Sequence, residues 1–195
     1  MESNYIVSAT KAQQFPKNEW PEFAFVGKSN CGKSSLLNAL FQRKALARTS
    51  STPGRTQMIN FFSLKTSPEK SFVFADLPGY GFSKTARSVK ASWDKMMTTY
   101  LETRRIKKLL FLFDSRRVIE EYELAYLKEM QELGHEVVII LTKVDKLSQS
   151  DKAKAKKKLK ELLKEHQLEG VPTIFCSTLK KTGLRELQNL LLDET

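Results

Sequence analysis

Cysteine, long apolar runs and targeting patterns are scarce or missing in this sequence of 195 residues. Its two cysteines, Cys31 and Cys176, lie far apart and do not have the spacing of a metal site. No apolar run approaches the length of a membrane span, and residues 1–10 lack the basic and then apolar pattern of a secretion signal. These absences favour a reducing compartment, and we expect a soluble, cytoplasmic protein without a membrane anchor.

The sequence also lacks internal repeats, a low-complexity tail and any sign of a second domain. A chain of this length can bury the core of one domain. We therefore expect a single domain over residues 1–195, in which residues 1–21 form an N-terminal arm or short strand, and we expect a monomer. The two histidines, His135 and His166, have no nucleophile or metal ligand near them in sequence, so we interpret both as structural or solvated.

Acidic residues are the other shortage, because 22 Asp and Glu residues face 33 Lys and Arg residues and leave a net charge of +11. This excess of positive charge suggests a polyanionic partner, which would be nucleic acid, a ribonucleoprotein or an anionic membrane. The alternative is a solvated surface that happens to be rich in lysine. Together with the motifs described below, the charge favours a nucleic-acid partner.

What the sequence does contain is an alternation of apolar, β-rich segments with segments of helical periodicity. Strands connected by helices form a mostly parallel sheet that is covered on both faces. The short linker of residues 66–70 fits an antiparallel hairpin instead. The pattern predicts an α/β fold with a six-stranded, mostly parallel sheet, one antiparallel strand and helices on both faces. The six strands are predicted at residues 22–26, 58–65, 71–76, 109–113, 137–141 and 171–176.

One segment fits the phosphate-binding pattern G-x-x-x-x-G-K-[ST] and lies between a predicted strand and a predicted helix. The glycines let backbone N–H groups turn towards the phosphates, and the helix N-terminus adds the positive end of its dipole. Lys33 is expected to reach the β- and γ-phosphates, and Ser34 to place its hydroxyl on Mg²⁺. The nucleotide-binding residues predicted in this phosphate loop are Gly27, Lys28, Ser29, Asn30, Cys31, Gly32, Lys33 and Ser34.

A second motif, Asp-x-x-Gly, follows the strand of residues 71–76. Ligands of such sheets bind at the carboxyl ends of the strands. The Asp76 carboxylate is expected to hold Mg²⁺ through water, and the Gly79 N–H is expected to contact the γ-phosphate. The nucleotide-binding residues predicted here are Asp76, Leu77, Pro78 and Gly79.

The segment Thr-Lys-Val-Asp that starts at Thr142 predicts which base is bound. The Asp145 carboxylate can accept hydrogen bonds from the ring N–H and the exocyclic amine of guanine, a pair that adenine does not supply. Sites built on such hydrogen bonds discriminate by about 10⁴-fold or more. The stem of Lys143 can lie over the base. The usual first residue of this motif is asparagine, so Thr142, which can donate one hydrogen bond towards the phosphate loop, predicts a somewhat weaker tether.

The loop after the last predicted strand resembles one that offers a backbone N–H to the guanine carbonyl. Its predicted nucleotide-binding residues are Cys176, Ser177 and Thr178.

The polar segment of residues 43–57 is a candidate switch, a loop that becomes ordered around a γ-phosphate. The alternative is an ordinary surface loop. Thr56 is the best candidate for the threonine that completes the Mg²⁺ coordination, and Thr49 and Thr52 are the competing choices. The adjoining residues predicted to bind nucleotide are Gly54, Arg55 and Gln57. A contact of Arg55 with a phosphate or RNA is at least as well supported as a charge-stabilising role in catalysis.

Taken in order, these motifs resemble a translation-factor-related GTPase of the TRAFAC class. Their wording, above all Arg48 to Gln57, closely resembles the bacterial EngB (YihA/YsxC) family over nearly the whole chain. The resemblance implies a Ras-like P-loop GTPase fold and Mg²⁺-dependent binding and hydrolysis of GTP. It also implies a role in maturing the large ribosomal subunit, with ribosomal RNA as a partner, and a requirement in cell division and septation.

One departure from that family is Asp-Ser-Arg-Arg at residues 114–117, where the family more often has Asp-x-Arg-His. No specific role is therefore assigned to Arg117. Tyr80 stands where many GTPases have a glutamine that orients water. A phenol cannot replace that amide, so we expect slow intrinsic hydrolysis.

The residues predicted to act in catalysis are Lys33, Asn30, Thr56 and Gly79. Two interpretations of Asn30 stay open. In related GTPases an asparagine at this place coordinates K⁺, whose charge offsets the charge that develops between the β- and γ-phosphates. The alternative is a loop asparagine that makes a backbone hydrogen bond.

Residues 151–167 predict an amphipathic helix with a lysine-rich face, on which we expect contacts with ribosomal RNA phosphates through counterion release. The alternative is a solvated helix face. Two other functions compete with that of a GTPase assembly factor. One is a GTP-gated RNA- or ribosome-binding module in which hydrolysis is incidental, and the other is an ATPase. The lysines of this face are Lys152, Lys154, Lys156, Lys157, Lys158, Lys160 and Lys164.

Overall fold

The computed structural model describes residues 2–17, 19–47, 58–79 and 87–192. Within these ranges seven strands form one sheet, and none of the helices is long and apolar enough to cross a membrane. The strands are β1 (Glu2–Ala9), β2 (Glu22–Gly27), β3 (Ile59–Lys65), β4 (Ser71–Asp76), β5 (Ile106–Asp114), β6 (Val137–Thr142) and β7 (Thr173–Phe175). The α-helices are α1 (Lys33–Leu40), α2 (Arg87–Thr103), α3 (Glu121–Glu132), α4 (Gln149–Glu165) and α5 (Leu184–Leu192), and short 3₁₀ turns cover Ala12–Gln14 and Val144–Lys146.

The strands follow the order β1-β3-β4-β2-β5-β6-β7 across the sheet. β3 runs antiparallel to both of its neighbours, β1 and β4, whereas every other neighbouring pair is parallel. The predicted mostly parallel sheet with one antiparallel strand is therefore confirmed. The predicted count of six strands is one too low, because the N-terminal arm satisfies the open edge of β3, from Glu2 opposite Lys65 to Ala9 opposite Ile59.

Side chains alternate between the two faces of the sheet, and each face is covered by its own helices. In β2, Phe23 and Phe25 belong to the core beneath α1 and α5, and Ala24 and Val26 to the core beneath α2, α3 and α4. Phe74 of β4 extends the first core, with its ring centroid 5.3 Å from that of Phe23. The predicted covering of both faces is thus confirmed.

Two element boundaries differ from the sequence-based expectation for local reasons. α4 begins at Gln149, two residues early, because the Ser148 hydroxyl caps the helix by accepting a hydrogen bond from the Asp151 N–H at 3.1 Å. β7 covers only Thr173–Phe175. The Val171 N–H bonds instead to the Leu168 carbonyl at 3.1 Å, in the turn that precedes the strand.

The sheet register brings the predicted motifs to one edge. Phe25 of β2 pairs with Asp76 of β4, and Asp114 of β5 pairs with Thr142 of β6. Parallel strands that are aligned in this way end at the same side of the sheet, where their loops meet. The motifs, although scattered along the chain, therefore surround one site.

Candidate functional site

The phosphate loop runs from the end of β2 into α1, and two of its glycines are required by the geometry. Gly32 has φ +109°, in the left-handed region that favours glycine. A Cβ on Gly27 would lie 2.6 Å from the Cys31 sulfur and 2.7 Å from the Leu112 carbonyl oxygen. Because the residue before α1 is a glycine, no side chain caps the helix, and the first N–H groups of α1 can bind phosphate.

Lys33 lies in the position that the phosphate-loop pattern requires. Its side chain folds back across the loop and donates a hydrogen bond from Nζ to the Gly27 carbonyl at 3.2 Å. The residue is only 9% exposed, so its charge acts in a region from which water is largely excluded. A phosphate seated in the loop would give this ammonium the anionic partner that the Gly27 carbonyl only partly replaces.

Ser34 and Asp76, the described members of the predicted Mg²⁺ site, lie together. The Ser34 hydroxyl donates to Asp76 Oδ2 at 3.1 Å, whereas Asp76 Oδ1 is buried without a hydrogen-bond partner among the described residues. Burial raises the pKa of Asp76, and Lys33 and the Ser34 hydroxyl oppose this shift. A hydroxyl next to an unsatisfied carboxylate oxygen fits Mg²⁺, which prefers hard oxygen ligands.

The Asp-x-x-Gly motif contacts the phosphate loop directly. A Cβ on Gly79 would lie 2.6 Å from the Ser29 hydroxyl oxygen and 2.8 Å from the Ser29 nitrogen, so only glycine permits this approach. The preceding Leu77 and Pro78 are buried, and the Leu77 N–H bonds to the Phe25 carbonyl at 3.1 Å. This packing holds the Gly79 backbone next to the loop, where the sequence analysis expects it to meet a γ-phosphate.

Thr142 and Lys143 fasten the base-binding segment to the phosphate loop. The Thr142 hydroxyl lies 2.5 Å from the Cys31 carbonyl oxygen, and Lys143 Nζ donates to the Asn30 carbonyl at 2.6 Å. The predicted tether from threonine to the phosphate loop is therefore present. It is buried, because Thr142 is 5% exposed and Cys31 is 3% exposed.

Asp145 is held by Ser177 from the loop after β7. The Ser177 hydroxyl donates to Asp145 Oδ1 at 2.6 Å, and this hydrogen bond is the main cause that lowers the pKa of Asp145 below its ordinary value. An ionised carboxylate that is fixed in this way could accept the two hydrogen bonds from guanine that the sequence predicts.

The loop after β7 contains three backbone N–H groups that the sequence predicts as donors to the guanine carbonyl, and two of them already make hydrogen bonds. The Cys176 N–H bonds to the Leu141 carbonyl at 2.7 Å, and the Ser177 N–H bonds to the Thr182 carbonyl at 3.0 Å. Neither backbone group is therefore free for a ligand. Of the three residues predicted here, Thr178 alone has an N–H without a hydrogen bond to any described residue.

Asp114 is a site residue that the sequence analysis did not assign. It ends β5, its side chain is 3% exposed, and its carboxylate accepts hydrogen bonds from the Arg116 guanidinium at 2.7 and 2.9 Å. Lys143 Nζ contacts the same carboxylate at 3.0 Å. Burial alone would raise the pKa of Asp114, but the hydrogen bonds from Arg116 and Lys143 outweigh it and hold that pKa well below its usual range.

Lys28 has partners that the sequence analysis did not foresee. Its ammonium lies 2.7 Å from Glu120 and 3.3 Å from Glu123 at the start of α3, and 5.1 Å from the centroid of the Tyr122 ring. Burial opposes the charged form, but these partners raise the pKa of Lys28 above its ordinary value. The first variable residue of the phosphate loop is thus tied directly to the start of α3.

The predicted amphipathic helix is confirmed as α4. Leu159 and Leu163 are buried against the sheet, and six of its lysines are exposed. Only two of those lysines make ion pairs with described residues, Lys154 with Asp151 at 4.0 Å and Lys157 with Glu161 at 3.9 Å. Most of the positive charge on this face is therefore open to a partner.

Several predicted residues lie outside the described ranges, so their roles stay predictions. They are Arg48, Thr49, Thr52, Gly54, Arg55, Thr56 and Gln57 of the polar segment, and Tyr80 after the Asp-x-x-Gly motif.

Comparison with known proteins agrees with this geometry. Residues 22–176 match the model of a family described as 50S ribosome-binding GTPase. A probable GTP-binding protein EngB of Clostridium perfringens (strain 13 / Type A) is 42% identical over 196 residues, which cover 98% of this chain and 95% of that protein. A protein of the same description from Syntrophus aciditrophicus (strain SB) is 42% identical over 181 residues, which cover 92% of this chain and 87% of the other.

Solved structures share the fold. The crystal structure of Era in complex with MgGDPNP and nucleotides 1506–1542 of 16S ribosomal RNA superimposes with a TM-score of 0.72 and 26% identity. The match covers 89% of this chain and 56% of the Era chain, so this chain spans little more than half of that protein. The crystal structure of a probable GTP-binding protein engB matches with a TM-score of 0.63 and 19% identity over 86% of this chain and 95% of the other. These likenesses confirm the predicted Ras-like fold.

Proposed function

Since the chain belongs to the EngB family of GTP-binding proteins and is a GTPase, we propose that it assists the assembly of the large ribosomal subunit. We further propose that it acts in the cytoplasm as a Mg²⁺-dependent switch with slow intrinsic hydrolysis, and that cell division and septation depend on it. The observation that carries the proposal is that the structure brings the Asp145 carboxylate, predicted to bind guanine, to the same edge of the sheet as the phosphate loop. Asp145 is fixed by Ser177 at 2.6 Å while Lys143 holds the loop at Asn30.

The site supports hydrolysis of GTP to GDP and phosphate by positioning and charge. Lys33 and the first N–H groups of α1 would offset the negative charge of the phosphates, and the Gly79 N–H, held next to the loop, would contact the γ-phosphate. Mg²⁺ held by Ser34 and Asp76 would neutralise charge on the β- and γ-phosphates. Water attacks the γ-phosphorus, and without a glutamine after Gly79 no amide of that kind orients the water, so intrinsic turnover is slow.

The exposed lysines of α4 support a ribosomal RNA partner. They present a row of cations that are mostly free of ion pairs with described residues, on the outer surface of the helix. Contacts of this type release counterions, so binding weakens steeply as salt rises. Era, whose solved complex contains 16S ribosomal RNA nucleotides, is an RNA-bound protein of similar fold.

The experiment is to measure the binding of purified large subunits to the GTP-loaded protein across a salt series. Charge reversal at Lys156 and Lys157 should lower both the affinity and the slope against salt by about two counterions. The matched control reverses Lys11 and Lys17, which changes net charge equally near β1 at the other edge of the sheet. Equal loss in both double variants would show that only net charge matters, and no loss in either would overturn α4 as the contact.

A second function, a GTP-gated binding module in which hydrolysis is incidental, is favoured by the tyrosine at position 80. Single-turnover hydrolysis with and without large subunits separates the two. Acceleration by subunits supports the hydrolysing switch. An unchanged rate together with GTP-dependent docking supports the module.

A further inference from the structure

One buried carboxylate connects the guanine-binding segment to the protein surface. Asp114 Oδ2 lies 3.0 Å from Lys143 Nζ and 2.7 Å from the Arg116 guanidinium. Asp114 Oδ1 accepts from the Arg116 Nε at 2.9 Å and from the Arg116 backbone N–H at 3.1 Å. The order of contacts runs from the surface guanidinium, through the carboxylate, to the lysine of the base-binding motif.

We propose that Asp114 is a positioning residue for guanine-nucleotide binding, which acts through Lys143 and is itself oriented by Arg116. The Lys143 ammonium has two acceptors in the structure, the Asn30 carbonyl and the Asp114 carboxylate. Hydrogen bonds to these two acceptors fix the end of the flexible Lys143 side chain, which is 32% exposed. The stem of the side chain is thereby held over the place of the purine. Lys143 also has φ +59°, an uncommon backbone conformation for lysine that two anchors help to maintain.

Arg116 fixes the orientation of the Asp114 carboxylate, which a single ion pair would not do. Its planar guanidinium donates to both oxygens of Asp114, which prevents the carboxylate from rotating away from Lys143. Arg117, the next residue, makes no side-chain hydrogen bond or ion pair with any residue that the structure describes. The two adjacent arginines therefore differ in their side-chain contact with Asp114 and can be compared as a pair.

The proposal separates affinity from base choice. The stem of Lys143 covers any purine, whereas Asp145 reads the ring N–H and amine of guanine. Loss of Asp114 should therefore shorten the residence of every purine nucleotide without changing the preference for guanine. Loss of the Asp145 carboxylate should instead change the preference for guanine.

The experiment measures GDP and ADP affinity and the GDP dissociation rate for the full chain. Asp114→Asn should speed GDP dissociation about 10-fold, the effect of losing one charge-assisted hydrogen bond, with the GDP-to-ADP affinity ratio changed by less than about threefold. Arg116→Ala should give a smaller acceleration of about threefold, and Arg117→Ala should give none. In a Lys143→Ala background Asp114→Asn should add nothing, because the residue acts through Lys143.

Either of two results would overturn the proposal. One is a GDP dissociation rate in Asp114→Asn equal to that of the unsubstituted protein, and the other is a full additional effect in the Lys143→Ala background. Should Asp114→Asn fail to fold, judged by its circular dichroism and melting transition, the comparison of Arg116→Ala with Arg117→Ala decides. Equal rates in those two variants reject the positioning role. No ribosome is used, so the outcome is independent of the ribosomal partner proposed above.

Discussion

Thr142 donates a hydrogen bond to the carbonyl of Cys31 across a distance of 2.5 Å, although the two residues are 111 positions apart in the chain. The threonine occupies a position at which asparagine is usual, and its single hydroxyl bridges the base-binding segment and the phosphate loop. A carbonyl left without this donor would be buried and unpaired, which costs about 1–3 kcal/mol.

Replacing Thr142 with valine should therefore loosen the phosphate loop while nearly preserving the shape of the side chain. We expect the free energy of unfolding to fall by about 1–3 kcal/mol and GDP to dissociate several-fold faster. Urea denaturation and the release of a fluorescent GDP analogue measure the two effects. Thr142→Ser keeps the hydroxyl and serves as the control, so equal behaviour of the valine and serine variants would contradict this role.

Removing the Ser177 hydroxyl should make guanine binding more sensitive to acid. The Asp145 carboxylate must be ionised to accept from guanine, and its folded pKa lies below the ordinary value of 3.8, chiefly because of the Ser177 hydrogen bond. Binding is therefore retained above that pH and lost as the pH falls through the lowered pKa. Ser177→Ala should raise this pKa, so that GDP affinity falls at a higher pH, whereas Ser177→Thr should not. Isothermal titration across a pH series measures the shift.

Asp145→Asn should change which base is bound. An amide at this position offers a donor to the exocyclic oxygen of xanthine, so we expect a preference for xanthosine over guanosine nucleotides and a loss of guanine selectivity of about 10⁴-fold. Competition among GTP, XTP and ATP measures it. Equal binding of ATP and GTP before any substitution would contradict the role of Asp145 in base choice.

Asp76→Asn should stabilise the nucleotide-free protein more at high pH than at low pH. Because burial raises the folded pKa of Asp76, its contribution to stability is present below the ordinary value of 3.8 and is lost as the pH rises through the raised pKa. As the pH rises above 3.8, the Asp76→Asn variant should therefore become more stable relative to the unsubstituted protein, as measured by the free energy of unfolding.

The same variant should lose the extra thermal stability that Mg²⁺ gives to the GTP-bound protein, because the carboxylate that is expected to hold Mg²⁺ through water is gone. Glu69→Gln, at an exposed carboxylate between β3 and β4, is the control and should show neither effect. If the free energy of unfolding depends on pH identically in Asp76→Asn and in the unsubstituted protein, burial does not raise the pKa of Asp76.

Asn30→Gly should abolish any stimulation of hydrolysis by K⁺. Asn30 has φ +62°, which glycine tolerates, and its side-chain amide makes no hydrogen bond to a described residue, so a cation is a reasonable partner. We expect faster turnover in K⁺ than in Na⁺ for the unsubstituted protein and equal turnover for the glycine variant. Equal rates in both salts before substitution, with and without ribosomal subunits, would reject a role for K⁺.

The sequence by itself determined the elements and the chemistry of the site. The order of apolar segments identified six strands and both layers of helices, and the glycine positions and the Thr142 to Asp145 segment predicted phosphate and guanine binding. These features can be predicted because each depends on a short run of neighbouring residues, such as the glycines before a helix start or the Thr-Lys-Val-Asp segment.

Only the tertiary structure decided which distant groups share one hydrogen-bond network. That Asp114 supports Lys143 depends on the register of β5 against β6, and that Lys28 meets Glu120 depends on where α3 begins beside the loop. The addition of β1 as a seventh strand depends likewise on the open edge of β3. Such contacts join segments up to 92 residues apart. Sequence patterns do not reveal them, because strand register and packing, rather than local propensity, set them.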